Sequence, residues 1–170
     1  MNGVAKTLSL VAILLTLASG TAWAAIECTA GSACRGTDGP NTIYGSPRED
    51  RIYAKGGSDR IDARSGVDEV YGGDGHDAAL FGGNGRDLVR GGAGQDKAIG
   101  GSGADTMRGA KGRDELWGDG GADTLEGGPK NDILHGSRDG GARNAVRGGG
   151  GFDLCYVDKS DRVKGCEREY

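Results

Sequence analysis

Residues 82–126 read, in lines of nine, GGNGRDLVR (82–90), GGAGQDKAI (91–99), GGSGADTMR (100–108), GAKGRDELW (109–117) and GDGGADTLE (118–126). Glycine opens every line and returns at the fourth place. Aspartate is sixth in each: Asp87, Asp96, Asp105, Asp114 and Asp123. The eighth place holds Val89, Ala98, Met107, Leu116 and Leu125. A fixed period of this kind decides a fold ahead of local propensity.

The sixth-place column extends both ways. Upstream it runs through Asn41, Asp50, Asp59, Asp68 and Asp77, and downstream through Asp132, Asn144 and Asp153. Thirteen repeats result, eleven with Asp and two with Asn. The eighth column continues as Ile43, Ile52, Ile61, Val70 and Ala79, then Leu134, Val146 and Cys155. Two slips interrupt the register. The stretch Ala78-Ala79-Leu80-Phe81 carries one residue too many, and Gly136-Ser137-Arg138 reads as a three-residue insertion on a surface turn.

A nine-residue period with glycine every few places excludes an amphipathic helix, because glycine is a helix breaker. It suits a short strand with the eighth residue inward and the seventh and ninth outward, followed by a tight turn. The first, second and fourth glycines allow positive φ and close backbone approach. Two repeats make one coil of an all-β stack, and alternate repeats stack on the same side. One side then carries Asp59, Asp77, Asp96, Asp114, Asp132 and Asp153. The other carries Asp50, Asp68, Asp87, Asp105 and Asp123. Strand spacing puts these carboxylates about 5 Å apart. Left bare, they repel one another. A hard cation that accepts six to eight oxygens, carboxylate and carbonyl alike, fits such a ladder, and calcium is that cation. Zinc wants His or Cys, and neither recurs here.

Composition agrees with a narrow interior. Glycine supplies 36 of 170 residues, roughly three times its usual share of about 7%. Hydrophobic residues are only 35% and aromatics 5%, so apolar burial needs help from another source of stability. The net charge of -4 is mild and gives no basic footprint for nucleic acid. No membrane insertion is expected of the repeats.

The N-terminus carries a targeting pattern: Lys6, an apolar run from Leu8 to Ala18, and Ala22-Trp23-Ala24 as a cleavage site. A signal peptide over 1–24 predicts a secreted chain, with a retained anchor as the alternative. Four cysteines allow three pairings. A rod of these repeats holds its ends roughly 30 Å apart at two repeats per coil, whereas a disulfide needs Cα atoms within about 7 Å. The local pairs Cys28–Cys34 and Cys155–Cys166 are the ones that fit, closing caps at 25–35 and 157–170 around a roll at 36–156.

The motifs GGNGRD, GGAGQD and GGSGAD resemble the GGxGxDxUx nonapeptide of the repeats-in-toxin (RTX), or hemolysin-type, calcium-binding family. The resemblance covers roughly Gly36 to Tyr156. It implies a parallel β-roll with calcium between successive turns, held by sixth-place carboxylates and by carbonyls of the glycine turns. It implicates Asp77, Asp87, Asp96, Asp105, Asp114 and Asp123 first, with the turns opened by Gly72, Gly82, Gly91, Gly100, Gly109 and Gly118. Asp50, Asp59, Asp68, Asp132 and Asp153 belong to repeats that depart from the pattern: GSPRED, AKGGSD, ARSGVD and GGPKND lack turn glycines, and Asp153 ends the array. Like-side pairing of the aspartates caps the count at about nine ions. The chain resembles small secreted repeat proteins of actinobacteria more than a toxin, because the targeting pattern is N-terminal.

Blander readings stand beside these. Asp suits solvated turns in any case, and glycine-rich segments can be disordered linkers, although linkers lack a periodic apolar column. No GxSxG elbow or HExxH motif is present, so no enzyme is expected. One ninth-place row reads Tyr44, Asp62, Phe81, Ile99, Trp117, His135, Tyr156. It is apolar for an outward row and raises either a cell-envelope, polysaccharide or protein contact or plain cross-coil packing.

Overall fold

The computed structural model describes residues 25–136 and 140–169, with side chains described to Glu167. The targeting pattern and most of the Gly136-Ser137-Arg138 insertion lie outside the described residues. Every strand pairing is parallel, and the strands alternate between two sheets. The first sheet includes Thr42–Tyr44, Arg60–Asp62, Ala79–Gly85, Lys97–Ser102, Glu115–Gly120, Ile133–His135 and Leu154–Tyr156. The second includes Arg51–Gly56, Glu69–Asp74, Leu88–Ala93, Thr106–Lys111, Thr124–Pro129 and Ala145–Gly150. The chain thus winds as a β-solenoid of about eight turns, two nonapeptides to a turn.

Each six-residue strand runs from the seventh place of one repeat to the third of the next. Its exposure alternates accordingly, as in Glu115–Gly120, where Leu116 and Gly118 are buried. The eighth-place residues line the axis. Ile43, Ile52, Ile61, Val70, Val89, Ala98, Met107, Leu116, Leu125 and Leu134 are all 0% exposed. One apolar side chain per strand is enough because the two sheets lie close, and that closeness is possible because the neighbouring inward place is glycine.

The column differs from the sequence reading at one point. Leu80, not Ala79, stands opposite Ile61 and Ala98. The Ala78 N–H donates to the Asp59 carbonyl at 3.0 Å, as a seventh-place residue does, while Ala79 is also set against Arg60. Two residues therefore face one, a bulge that absorbs the extra residue and returns Phe81 to register with Ile99.

Both ends continue the winding. Ile26–Glu27 and Ala33–Arg35 pair onto the first coil, and Arg162–Lys164 and Arg168–Glu169 onto the last. Disulfides join Cys28 to Cys34 and Cys155 to Cys166, with Cα atoms 5.5 and 6.0 Å apart. Cys155 is also a core residue, 0% exposed in the eighth place. The outward aromatic row packs along the axis. Trp117 stacks on His135 at 3.6 Å and His135 on Tyr156 at 4.6 Å. Lys97 Nζ lies over the other face of Trp117 at 5.3 Å. Ring faces meet ring faces here, which is the geometry of cross-coil packing.

Leu116→Ala removes a fully buried side chain from an interior one residue wide. We expect a loss of about 2–5 kcal/mol, read as a lowered denaturation midpoint in saturating calcium.

Candidate metal centre

The sixth-place aspartates close the tight turns, and all are buried: Asp50, Asp59, Asp68 and Asp77 are 1% exposed and Asp153 0%. They are not solvated turn residues. Each carboxylate reaches back to the coil before it. The backbone N–H groups of Asp50, Asp68, Asp87 and Asp105 donate to Oδ1 of Asp68, Asp87, Asp105 and Asp123, all at 2.8 Å. On the other side the N–H groups of Asn41, Asp59, Asp77, Asp96, Asp114 and Asp132 donate to Oδ1 of Asp59, Asp77, Asp96, Asp114, Asp132 and Asp153, at 2.6–3.0 Å. Two ladders result, divided between the two sides as the sequence spacing requires.

Their ends hold residues that the nonapeptide reading missed. Asn144 N–H donates to Asp161 Oδ1 at 2.9 Å, and Asp153 N–H to Glu167 Oε2. Neither Asp161 nor Glu167 follows a glycine turn, so the period gave no signal. The available signal was distance: seventeen residues on from Asn144 and fourteen on from Asp153. Asp161 also accepts the Asp158 N–H through Oδ2 at 2.8 Å, so it caps its ladder with both oxygens engaged.

Within the array the second oxygen is different. In Asp59, Asp68, Asp77, Asp87, Asp96, Asp105, Asp114, Asp132 and Asp153, Oδ2 is buried with no hydrogen-bond partner, and in Asp50 it is Oδ1. Each orphaned lone-pair set would ordinarily cost a buried polar group about 1–3 kcal/mol. The glycine that opens each repeat makes room for this oxygen. A β-carbon on Gly91 would lie 2.5 Å from Asp96 Oδ2, and one on Gly100 would lie 2.6 Å from Asp105 Oδ2. Gly72, Gly82, Gly109 and Gly118 stand in the same relation to Asp77, Asp87, Asp114 and Asp123. In two coils the first place is instead Ala54 or Ala63, both 0% exposed. There a methyl group occupies the space that other coils leave beside the carboxylate, so the surroundings of Asp59 and Asp68 are tighter.

Carbonyl oxygens crowd the same turns. A β-carbon on Gly75 would run into the Gly57 carbonyl oxygen, and one on Gly94 into that of Gly75. Carbonyls therefore point along the axis from turn to turn at the fourth place. Gly75 and Gly94 hold φ of 136° and 142°, open to glycine alone. Lys130 takes that place in GGPKND at φ 90°, so the turn keeps its direction at a cost in strain. Among the described residues no group of three or more His, Cys, Asp or Glu side chains converges on a point. A cation here must draw on carboxylate and backbone oxygens together, the habit of calcium and not of zinc.

Electrostatics describe the same unmet demand. Burial pushes the carboxyls of Asp68, Asp96 and Asp105 up to about 7, opposed by their backbone hydrogen bonds and helped by the neighbouring carboxylates. Burial likewise raises Asp59, Asp114 and Asp132 to about 6, and raises Asp77, Asp87 and Asp153. At neutral pH the folded chain holds charges that it would rather neutralise.

A parallel solenoid whose turns bury one-sided carboxylates against glycine carbonyls defines a class: a repeat scaffold for hard cations. The chain belongs to the family of RTX calcium-binding nonapeptide repeat proteins, whose model matches residues 44–78, 81–116 and 117–155. Among curated proteins, none matches the chain. The repeat of this family is a calcium-binding structural unit.

Two outcomes follow from this geometry. Gly91→Ala puts a methyl group against Asp96 Oδ2 and the Gly109 carbonyl, and we expect it to cost about 1–3 kcal/mol. Gly39→Ala, whose β-carbon meets nothing within 4 Å, should stay within about 0.5 kcal/mol; chemical denaturation of both variants makes the comparison. The raised carboxyls set the pH dependence of the metal-free chain. A group whose pKa is higher folded than unfolded contributes stability below its unfolded value, and that contribution is lost as pH climbs through the folded value. In chelator the residual β signal should therefore be larger at pH 5 and decline towards pH 8, through values near 6 and 7. A β signal that grows over this range without calcium contradicts it.

Proposed function

We propose that this is a secreted calcium-binding protein whose Gly/Asp repeats hold calcium between stacked turns and whose chain folds as the ion binds. The observation that carries the reading is the row of buried carboxylates with one oxygen orphaned in coil after coil. The ligands we assign are the second oxygens of Asp77, Asp87, Asp96, Asp105, Asp114 and Asp123, together with carbonyls of the turns opened by Gly72, Gly82, Gly91, Gly100, Gly109 and Gly118. Asp50, Asp59, Asp68, Asp132 and Asp153 extend the set into the end coils, to at most about nine ions. Calcium supplies the positive charge that these oxygens lack.

The chain's own part is positional. The Asp N–H groups fix Oδ1, which leaves the other oxygen aimed into the turn. The first-place glycine keeps that space open. Without a cation, the repulsion along each ladder and the backbone entropy of 36 glycines oppose order. Binding to the folded form alone transfers binding free energy to folding.

Secretion is supported by the N-terminal targeting pattern and by the two disulfides, which persist in oxidising compartments. Calcium-poor cytosol would leave the chain loose, and calcium outside the cell would wind it. The family repeat and the lack of any motif for nucleophilic or metal-assisted chemistry support a non-catalytic role.

Calorimetric titration and circular dichroism test this on the chain lacking residues 1–24. The expected result is several bound calcium ions per chain and a β signal that grows with calcium and is reversed by chelator. Full β signal after exhaustive chelation removes the folding step from the reading, and absence of binding heat removes calcium from it.

A further inference from the structure

The outward rows of the two sheets differ in charge. On the second sheet the ninth-place row runs Arg35, Tyr53, Tyr71, Arg90, Arg108, Glu126, Arg147 and Lys164 in successive register. The seventh-place row beside it adds Arg51 and Arg162 and, as acid, only Glu69. Seven cations thus face two anions on one side of a chain whose net charge is -4. The first sheet shows no such bias: the described charges of its seventh- and ninth-place rows are Arg60 and Lys97 against Glu27, Asp62 and Glu115, with Arg64 paired to Glu27 beside them.

We infer that the outer face of the second sheet is a docking track for a linear anionic polysaccharide. Five of the cations, Arg35, Arg90, Arg108, Arg147 and Lys164, share the ninth-place line along the axis, separated by about 4.8 Å per coil or multiples of it, and Arg51 and Arg162 stand beside that line in the seventh-place row. That is the form of a polymer bearing a charge on each monomer, and Arg forks suit its carboxylate or sulfate groups. The track is best formed at its C-terminal end. There Arg147, Arg162 and Lys164, with Glu126 as the one acid, line a groove of about 310 Å³ together with the small residues Thr124 and Ala145. Ala145 is paired with Arg162 and Arg147 with Lys164, so the three cations come from two adjacent strands. Only Arg147 forms an ion pair there, an exposed one of 3.9 Å with Glu126; among the described residues Arg162 and Lys164 form none.

The same face argues against the other linear polyanions. Single-stranded nucleic acid needs open aromatic faces for its bases. Tyr53 and Tyr71 are stacked on each other at 4.8 Å, with Arg35 and Arg90 over their outer faces at 5.0 and 5.5 Å. A membrane surface calls for apolar groups beside the cations, and among the described residues the large exposed apolar side chains, Val67 and Phe152, lie in turns and not on this face.

The test uses the full chain lacking residues 1–24, in saturating calcium, with fluorescent heparin oligosaccharide as probe. Binding should be seen at low salt, should weaken steeply as salt rises through counterion release, and should be absent with neutral dextran. The triple variant Arg147→Gln, Arg162→Gln, Lys164→Gln should bind roughly tenfold more weakly or worse, with a shallower salt slope. Lys97→Gln on the first sheet should leave binding unchanged. Circular dichroism confirms that each variant keeps its β signal, and Arg162→Gln and Lys164→Gln singly replace the triple variant if it does not. No heparin binding, full binding by the charge-removed variants, or equal affinity for oligo-dT or phosphatidylserine vesicles overturns the proposal. Calcium binding measured on the same samples is independent of all these outcomes.

Discussion

The hydrogen bond from each sixth-place N–H to the side-chain oxygen one coil ahead, a carboxylate oxygen everywhere but at Asn144, is the contact on which the rest of the structure depends. It ties stacked sixth places together with bonds of 2.8 Å, at the rise that parallel strand spacing sets. It fixes which carboxylate oxygen is satisfied and which is left over. It also draws a charged group inward, to a depth where an unpaired charge is costly. A solenoid held this way is built around an unmet need in every coil, and its thin apolar axis does not compensate for that need alone. On the proposed reading, cation binding and folding become one problem because the same carboxylate serves both.

The glycines answer to that carboxylate as much as to backbone conformation. Second- and fourth-place glycines serve φ and the close stacking of turns, and several are replaced at tolerable strain: Lys55, Arg64, Ala110 and Asp119 take positive φ at second places and Lys130 at a fourth. First-place glycines serve space, and Ala54 and Ala63 are the exceptions. The coils are therefore graded. Those from Gly72 to Asp132 keep the full opening beside the carboxylate, and those before it narrow the opening and lean on Ile43, Ile52, Ile61 and the Tyr53–Tyr71 stack.

Much of this could be read from residues 82–126. The period gave the two-repeat coil, the sheet alternation, the inward column and the division of aspartates between two sides. The disulfide pairing followed from the length of the rod. What the sequence could not reveal depends on three-dimensional accommodation. The extra residue at Ala78–Ala79 could be counted but not placed, because either alanine suits the core, and Leu80 takes the inward site by size. Asp161 and Glu167 extend the ladders from segments with no glycine signature, since a carboxylate at the right height is all that the preceding N–H requires. The aromatic row was visible as a row, but whether ring faces would meet each other or solvent is set by the rise per coil. The charged row on the second sheet was spread over residues seventeen or more apart, where one-dimensional charge patterning shows only a mild and mixed balance.

The bulge and the even winding carry a consequence for how such a chain can lengthen. Because successive nonapeptides belong to opposite sheets, duplication of a single repeat would send every downstream strand to the other sheet. The inward column would survive, since both sheets share it. The outer rows would not: Trp117, His135 and Tyr156 would be divided from Phe81, and Arg147 and Lys164 from Arg90. Growth or loss by repeats in pairs keeps both outer surfaces continuous. Selection on either surface would thus appear in the gene as a preference for even copy-number changes, while selection on the metal ladder alone would be indifferent to that count.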